Sequence, residues 1–256
     1  MIYDCFMFFD ELDLLEIRLE ELYPVVDRFV LCEALKTFSG KPKDLVYAAN
    51  KSRYARFQDK IEHIVCDLPA DGSSWQREHA QRKAMGRALQ NLQPEDYIFI
   101  SDCDEIPERS TVGKAIQVLK DNPSYVGPLT LTYQLYYGKL THKVVKPEDH
   151  YRIRSTIVVP APLFSGDCQE YKQYRAQYAF SYLGGWHFSY LGDASRIIKK
   201  IESLFPEEWK SISDENKIFW ASDFQGSNES CPEEIRNLIN KQYQSQFSAS
   251  AEKKKK

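Results

Sequence analysis

The chain has 256 residues, 43% hydrophobic and 13% aromatic, which suits one large domain with a sizeable core. A formal charge of −3 leaves no basic footprint for nucleic acid. No stretch approaches the roughly 20 apolar residues of a membrane span, and the first ten residues, which include Asp4 and Asp10, lack the basic leader of a signal peptide.

Residues 3–9 predict a first strand. Asp10 follows at a helix N-cap position, and 11–22 carry Leu12, Leu15, Leu19 and Leu22 at helical spacing. A second strand is predicted at 28–33, a loop at Phe38-Ser39-Gly40-Lys41-Pro42, a short helix at 47–57 and a third strand at 61–66. A long helix at about 75–92 leads to the apolar run Tyr97-Ile98-Phe99-Ile100, a buried fourth strand. Strands alternating with helices predict a Rossmann-like, mostly parallel central sheet flanked by helices on both faces, an α/β fold. Beyond Pro107 the texture changes. A helix at about 108–119 precedes a long strand or hairpin over 126–140, rich in β-branched residues and in Tyr133, Tyr136 and Tyr137. A strand over 153–159, the segment Gly184 to Ser189, and helices at about 193–204 and 232–246 make a mixed α+β second half. The basic run Lys253 to Lys256 closes a tail, 248–256, expected to be disordered.

The fourth strand runs directly into Ser101-Asp102-Cys103-Asp104-Glu105-Ile106-Pro107. If strand geometry persists, Asp102 and Asp104 leave the same face. Hard oxygen ligands at a strand's carboxyl end suit Mn2+ or Mg2+ held against a diphosphate, and this is where open α/β sheets bind ligands. The helix before this strand carries Arg77, Glu78, Gln81 and Arg82, with Arg77–Gln81 and Glu78–Arg82 as i,i+4 neighbours. Read plainly it is a surface helix laced with ion pairs; read sharply, Arg77 or Arg82 reaches the diphosphate or orders the acidic motif.

Several separated segments resemble glycosyltransferase family 17: residues 3–19 (YDCFMFFDELDLLEIRL), 38–42, Trp75-Gln76-Arg77-Glu78, Gln81-Arg82, the 101–107 motif and 184–190. They run in family order from residue 3 to about 205. The resemblance implies an A-type glycosyltransferase (GT-A) fold, a UDP-sugar donor with UDP-GlcNAc first, a divalent cation, and transfer with inversion to a glycan or glycoconjugate hydroxyl. It points to the soluble bacterial- or viral-type members. The chain departs from the family pattern at Lys83, where Asn is expected, and at Leu204-Phe205-Pro206-Glu207. One domain over 1–247 is expected, 1–107 binding the nucleotide sugar and 108–247 facing the acceptor.

On this reading Asp104 ligates the metal, Asp102 ligates it or contacts the ribose, and His187 is a further ligand or phosphate contact. Glu33 and the loop with Ser39, Gly40 and Lys41 line the nucleotide pocket, with Arg77, Gln81 and Arg82 beside it. Trp186 and Tyr137 stack on a sugar or uracil ring, or pack in the core. An inverting transfer needs a base on the acceptor hydroxyl; Glu105 is nearest the motif, with Asp167 and Asp193 further out, each alternatively a turn or cap residue. The six cysteines show no CxxC or zinc-like spacing and read as reduced thiols of a cytoplasmic protein, with Cys168 and Cys231 in loops. Two rivals stand beside the transferase: a haloacid-dehalogenase-type phosphohydrolase, which also sets DxD after an apolar strand, and a nucleotide-sugar-binding module without a base.

Overall fold

A computed structural model describes residues 1–137, 152–181, 184–189, 199–200 and 202–203. The expected helix at 232–246, the tail, Cys231 and most of the helix at 193–204 lie outside them.

The first half is built as its apolar periodicity predicts. Strands β1 (Ile2–Phe8), β2 (Arg28–Ala34), β3 (Ile61–Cys66) and β4 (Tyr97–Asp102) lie in the order β3-β2-β1-β4, and every pairing among them is parallel. Each crossover carries helix: α1 (Leu12–Leu22), then α2 (Val46–Ala49) with a 3-10 stretch at Lys51–Phe57, then α3 (Ser74–Ala84) with a 3-10 turn at Met85–Ala88. Alternation sorts the side chains into two cores. Phe6, Phe8, Phe29, Leu31 and Phe99 pack on one face with Leu15 and Leu19 of α1. Cys5, Val30, Cys32, Ile98 and Ile100 pack on the other with Met85, Leu89 and Tyr171. Because both faces are covered, these strands read as near-continuous apolar runs.

Three local expectations are corrected. Asp10 is not the N-cap of α1; that position is Glu11, whose Oε2 accepts from the backbone N–H groups of Phe9 and Asp10. The long helix is shorter than its polar pattern suggested. It begins in a capping box between Ser73 and Gln76, and its α-helical part ends at Ala84. Cys168 is the buried first residue of a helix, not a loop residue.

After β4 the direction changes. β5 (Glu105–Pro107), α4 (Arg109–Asp121), β6 (Leu129–Tyr137), β7 (Arg152–Pro160), α5 (Cys168–Tyr174), β8 (Ala179–Ser181) and β9 (Gly185–Ser189) follow. β7 joins β4 antiparallel and extends the sheet in the order β4-β7-β6-β9-β5. β9 runs antiparallel to β5, so Glu105 faces His187 in register. The segment after Gly184 is thereby returned to the acidic motif. Among the described residues, no helix is long and apolar enough to cross a membrane.

Candidate functional site

Parallel strands end on the same edge, so the residues that follow β1, β2 and β4 meet there. They line a cleft of about 190 Å³: Phe8 and Phe9 at the end of β1, Lys36 to Phe38 after β2, and Asp102 to Asp104 at the end of β4. Gln81 of α3, His187 of β9 and Lys200 complete the wall.

The acidic motif does not continue as a strand. β4 stops at Asp102, and Cys103 and Asp104 form a turn into β5. The two carboxylates therefore take different partners while lining the same cleft. Asp102 Oδ1 accepts from Arg82 Nη1 at 2.7 Å, and Oδ2 lies 3.2 Å from Lys172 Nζ. Asp104 Oδ2 accepts from Lys200 Nζ at 3.1 Å, and Oδ1 lies 3.7 Å from His187 Nε2. Burial alone would raise both carboxyl pKa values. Arg82 and Lys172 outweigh it for Asp102, as Lys200 and His187 do for Asp104, and both are held below the ordinary carboxylate range.

Beneath the turn sits Arg18 of α1, with none of its side chain exposed. It forks onto Asp4 of β1, donating Nε to Oδ2 at 2.7 Å and Nη2 to Oδ1. It also donates to Ser101 Oγ and to the backbone carbonyls of Asp102 and Glu105, the last two at 3.1 and 2.9 Å. One buried guanidinium thus fixes the acidic turn to the first strand and stacks on Phe6.

Of the residues singled out from the sequence, Gln81, Asp102, Asp104 and His187 meet in the cleft. Gln81 also anchors the sheet edge, donating its amide to Cys32 O at 2.8 Å. Arg82 serves the acidic motif, as one reading had it. Arg77 serves the loops: its guanidinium donates to the carbonyls of Pro69, Phe38 and Ala70. Glu33 is fully buried behind the cleft, bound by His63, Lys43 and the Tyr47 N–H. Ser39, Gly40 and Lys41 form a tight turn closed on Thr37, whose own side chain and that of Phe38 line the cleft. Trp186 is buried and stacked near Phe188, outside the cleft lining. Glu105 is 3% exposed, with its Oε2 accepting from the Asp102 N–H and from Lys172. Asp167 caps α5 through Gln169 N and lies 3.6 Å from Lys83. Asp193 and the side chain of Tyr137 lie outside the described residues.

A family model described as Glycosyltransferase family 17 matches residues 1–203, well over half of the sequence. The chain belongs to glycosyltransferase family 17. Human β-1,4-mannosyl-glycoprotein 4-β-N-acetylglucosaminyltransferase is 33% identical over 111 residues, covering 40% of this chain and 21% of the human protein. The rat enzyme of that name matches to the same extent. The chain thus spans about 21% of the length of these curated relatives, which are mammalian and lend nothing to a bacterial or viral type. Among solved structures, glucosyl-3-phosphoglycerate synthase from Mycobacterium tuberculosis, in complex with Mn2+, UDP-glucose and phosphoglyceric acid, is similar with a TM-score of 0.42. That match has 14% identity and covers 80% of this chain and 79% of that one. S. aureus TarS 1-349 is similar with a TM-score of 0.39 and 12% identity, over 87% and 70% of the two chains.

Among the described residues of this family 17 chain, no three of His, Cys, Asp and Glu gather as a ready metal cluster. The donor set at Asp104 still fits a divalent ion. A carboxylate oxygen and an imidazole nitrogen 3.7 Å apart are a pair one ion can bridge when its ligand distances are about 2.1 Å. His187 Nδ1 is buried without a partner among the described residues, so the ring's polar contact is with Asp104. The cations that organise this family 17 site, Arg18, Lys172 and Lys200, escaped the sequence reading. Arg18 falls inside the family-like segment 3–19 and on the buried stripe of an otherwise leucine-lined helix, which is the one signal that could have found it. Lys172 and Lys200 reach the motif from 67 and 96 residues away and carry no local signal.

Proposed function

We propose that the chain is a GT-A glycosyltransferase that moves a sugar, GlcNAc first among the candidates, from a UDP-sugar to a glycan hydroxyl with inversion. The observation that carries this is the meeting of Asp102, Asp104 and His187 in a cleft at the carboxyl edge of the parallel strands, in a family 17 chain. Asp104 and His187 would hold Mn2+ or Mg2+, which as a Lewis acid neutralises the charge growing on the departing diphosphate. Lys36, paired with Asp67, and Lys43, paired with Glu33, line the same cleft, and Phe8, Phe9 and Phe38 give it apolar walls for a flat base. Asp102 is clamped between Arg82 and Lys172, which fixes its carboxylate before any ligand arrives. Glu105, bound to Lys172 and to the Asp102 N–H, is read as a positioning residue for that clamp. The five described cysteines are free thiols in the core, which fits a reducing, cytoplasmic setting.

Release of UDP from UDP-GlcNAc with Mn2+ present, and its loss on chelation, tests the proposal. Asp104→Asn is expected to lower turnover at least 100-fold and to weaken Mn2+ binding measured by calorimetry. Wild-type turnover in that variant overturns the assignment. Phosphate release from p-nitrophenyl phosphate in place of UDP release favours the phosphohydrolase, and metal-dependent UDP binding without turnover favours the binding module.

A further inference from the structure

Lys200 brings a cation to the carboxylate that a metal would need. Its Nζ lies 3.1 Å from Asp104 Oδ2 and 3.4 Å from Glu11 Oε1, and all three residues line the cleft. The other oxygen of the same carboxylate, Asp104 Oδ1, faces His187 Nε2 at 3.7 Å, the pair that fits a divalent ion. An ion on Oδ1 and an ammonium on Oδ2 would share one carboxylate. The side chains of Asp104 and Glu11 are only 9% and 10% exposed, so little water screens the repulsion between two such cations. They compete for Asp104.

The neighbours of Lys200 bind across the cleft mouth. Lys199 Nζ lies 2.7 Å from Asp10 Oδ2, just after β1, and 5.8 Å from the ring centre of Phe9 in the cleft wall. The Ser203 carbonyl accepts from the Ser39 N–H at 2.9 Å, in the loop after β2. Lys199, Lys200 and Ser203 thus fasten together the exits of β1, β4 and β2, the three strands whose ends form the cleft. Lys199 is 64% exposed, and an ion pair so open to water holds weakly. Lys200, set against two nearly buried carboxylates, is the stronger tie.

We infer that Lys200 is a built-in competitor of the divalent cation: it occupies Asp104 in the metal-free chain, and its displacement by metal frees the contacts of Lys199, Lys200 and Ser203 from the cleft mouth. The inference rests on the metal-dependent transferase reading above, and it concerns how that same site is regulated. The mouth of the cleft stays fastened until the cation that the reaction needs is present.

The test measures Mn2+ affinity of the full, nucleotide-free chain by calorimetry. Hydrogen exchange of single backbone amides is followed in parallel by mass spectrometry with electron-transfer fragmentation. Lys200→Met is expected to tighten Mn2+ binding at least tenfold. Lys199→Met, which removes the same charge one residue away, is expected to change it less than twofold. In the wild type, Mn2+ is expected to speed exchange of the Ser39 N–H at least tenfold. The Gly40 N–H, bonded to Thr37 O within the same turn, should keep its rate. In Lys200→Met the Ser39 N–H should exchange fast with or without Mn2+. Equal Mn2+ affinity in wild type and Lys200→Met, or Ser39 protection that bound Mn2+ leaves in place, overturns the inference and leaves the metal reading standing. Mn2+ that binds neither chain sinks the metal reading and the inference with it.

Discussion

Arg18→Met removes the buried cation that ties the acidic turn to β1 and leaves a side chain of similar length. Asp4, 1% exposed, then keeps a carboxylate with no counter-ion, which in other buried pairs costs about 3–5 kcal/mol. The carbonyls of Asp102 and Glu105 and the Ser101 hydroxyl lose charged hydrogen bonds of about 1–3 kcal/mol each, a loss that overlaps the first and does not simply add. A net loss of about 5 kcal/mol is expected, at the lower end of a whole domain's stability. For a chain of this size that lowers the thermal midpoint by about 10–20 °C, at about 2–4 °C per kcal/mol. The assay is thermal unfolding of wild type, Arg18→Met, Arg18→Lys and the double variant with Asp4→Asn. The double variant should recover part of the loss, because it no longer buries an unpaired charge. Arg18→Lys should keep more stability than Arg18→Met yet weaken Mn2+-dependent UDP affinity about tenfold, since a point ammonium cannot fork to Asp4 and the turn carbonyls together. A midpoint for Arg18→Met within about 2 °C of wild type would refute the reasoning.

Three further outcomes are expected. Gly40→Ala forces a side chain onto a backbone with φ of 84° and sets its Cβ 3.2 Å from the Arg77 guanidinium. It should cost about 1–3 kcal/mol in a denaturant titration, and no loss would show that the turn relaxes freely. Ser73→Ala removes the hydroxyl that accepts from Gln76 N and should cost about 1 kcal/mol by the same measurement. Asp102 and Asp104 titrate lower in the folded chain than in the unfolded one, so on acidification the unfolded chain takes up protons first. Their contribution is complete above the unfolded value of about 3.9 and is lost as the pH falls through the folded values. Asp102→Asn should flatten the acid side of the stability–pH curve, and an unchanged curve would remove Asp102 from that account.

The four parallel strands, the helices between them and the acidic motif at the mouth of the fourth strand were legible in the residues themselves. Apolar runs such as Tyr97 to Ile100, and the Leu15–Leu19–Leu22 spacing, are properties of neighbours along the chain, which elementary strand and helix geometry converts directly into structure. Two aspartates at a strand exit likewise announce a polar edge without any knowledge of the fold. What stands around those aspartates followed a different logic. Lys172 and Lys200 arrive from α5 and a later segment, and His187, expected there from the family resemblance, comes from β9, because β7 turns antiparallel onto β4 and β9 pairs with β5. Trp186, which the sequence left open between stacking and core packing, and Glu33, expected at the pocket, are both buried outside the cleft lining, because a ring or carboxylate takes its place from what surrounds it. Periodicity records which face a residue takes, whereas contact between side chains distant in sequence depends on how the sheet is closed, and that was set only when the second half folded back onto the first.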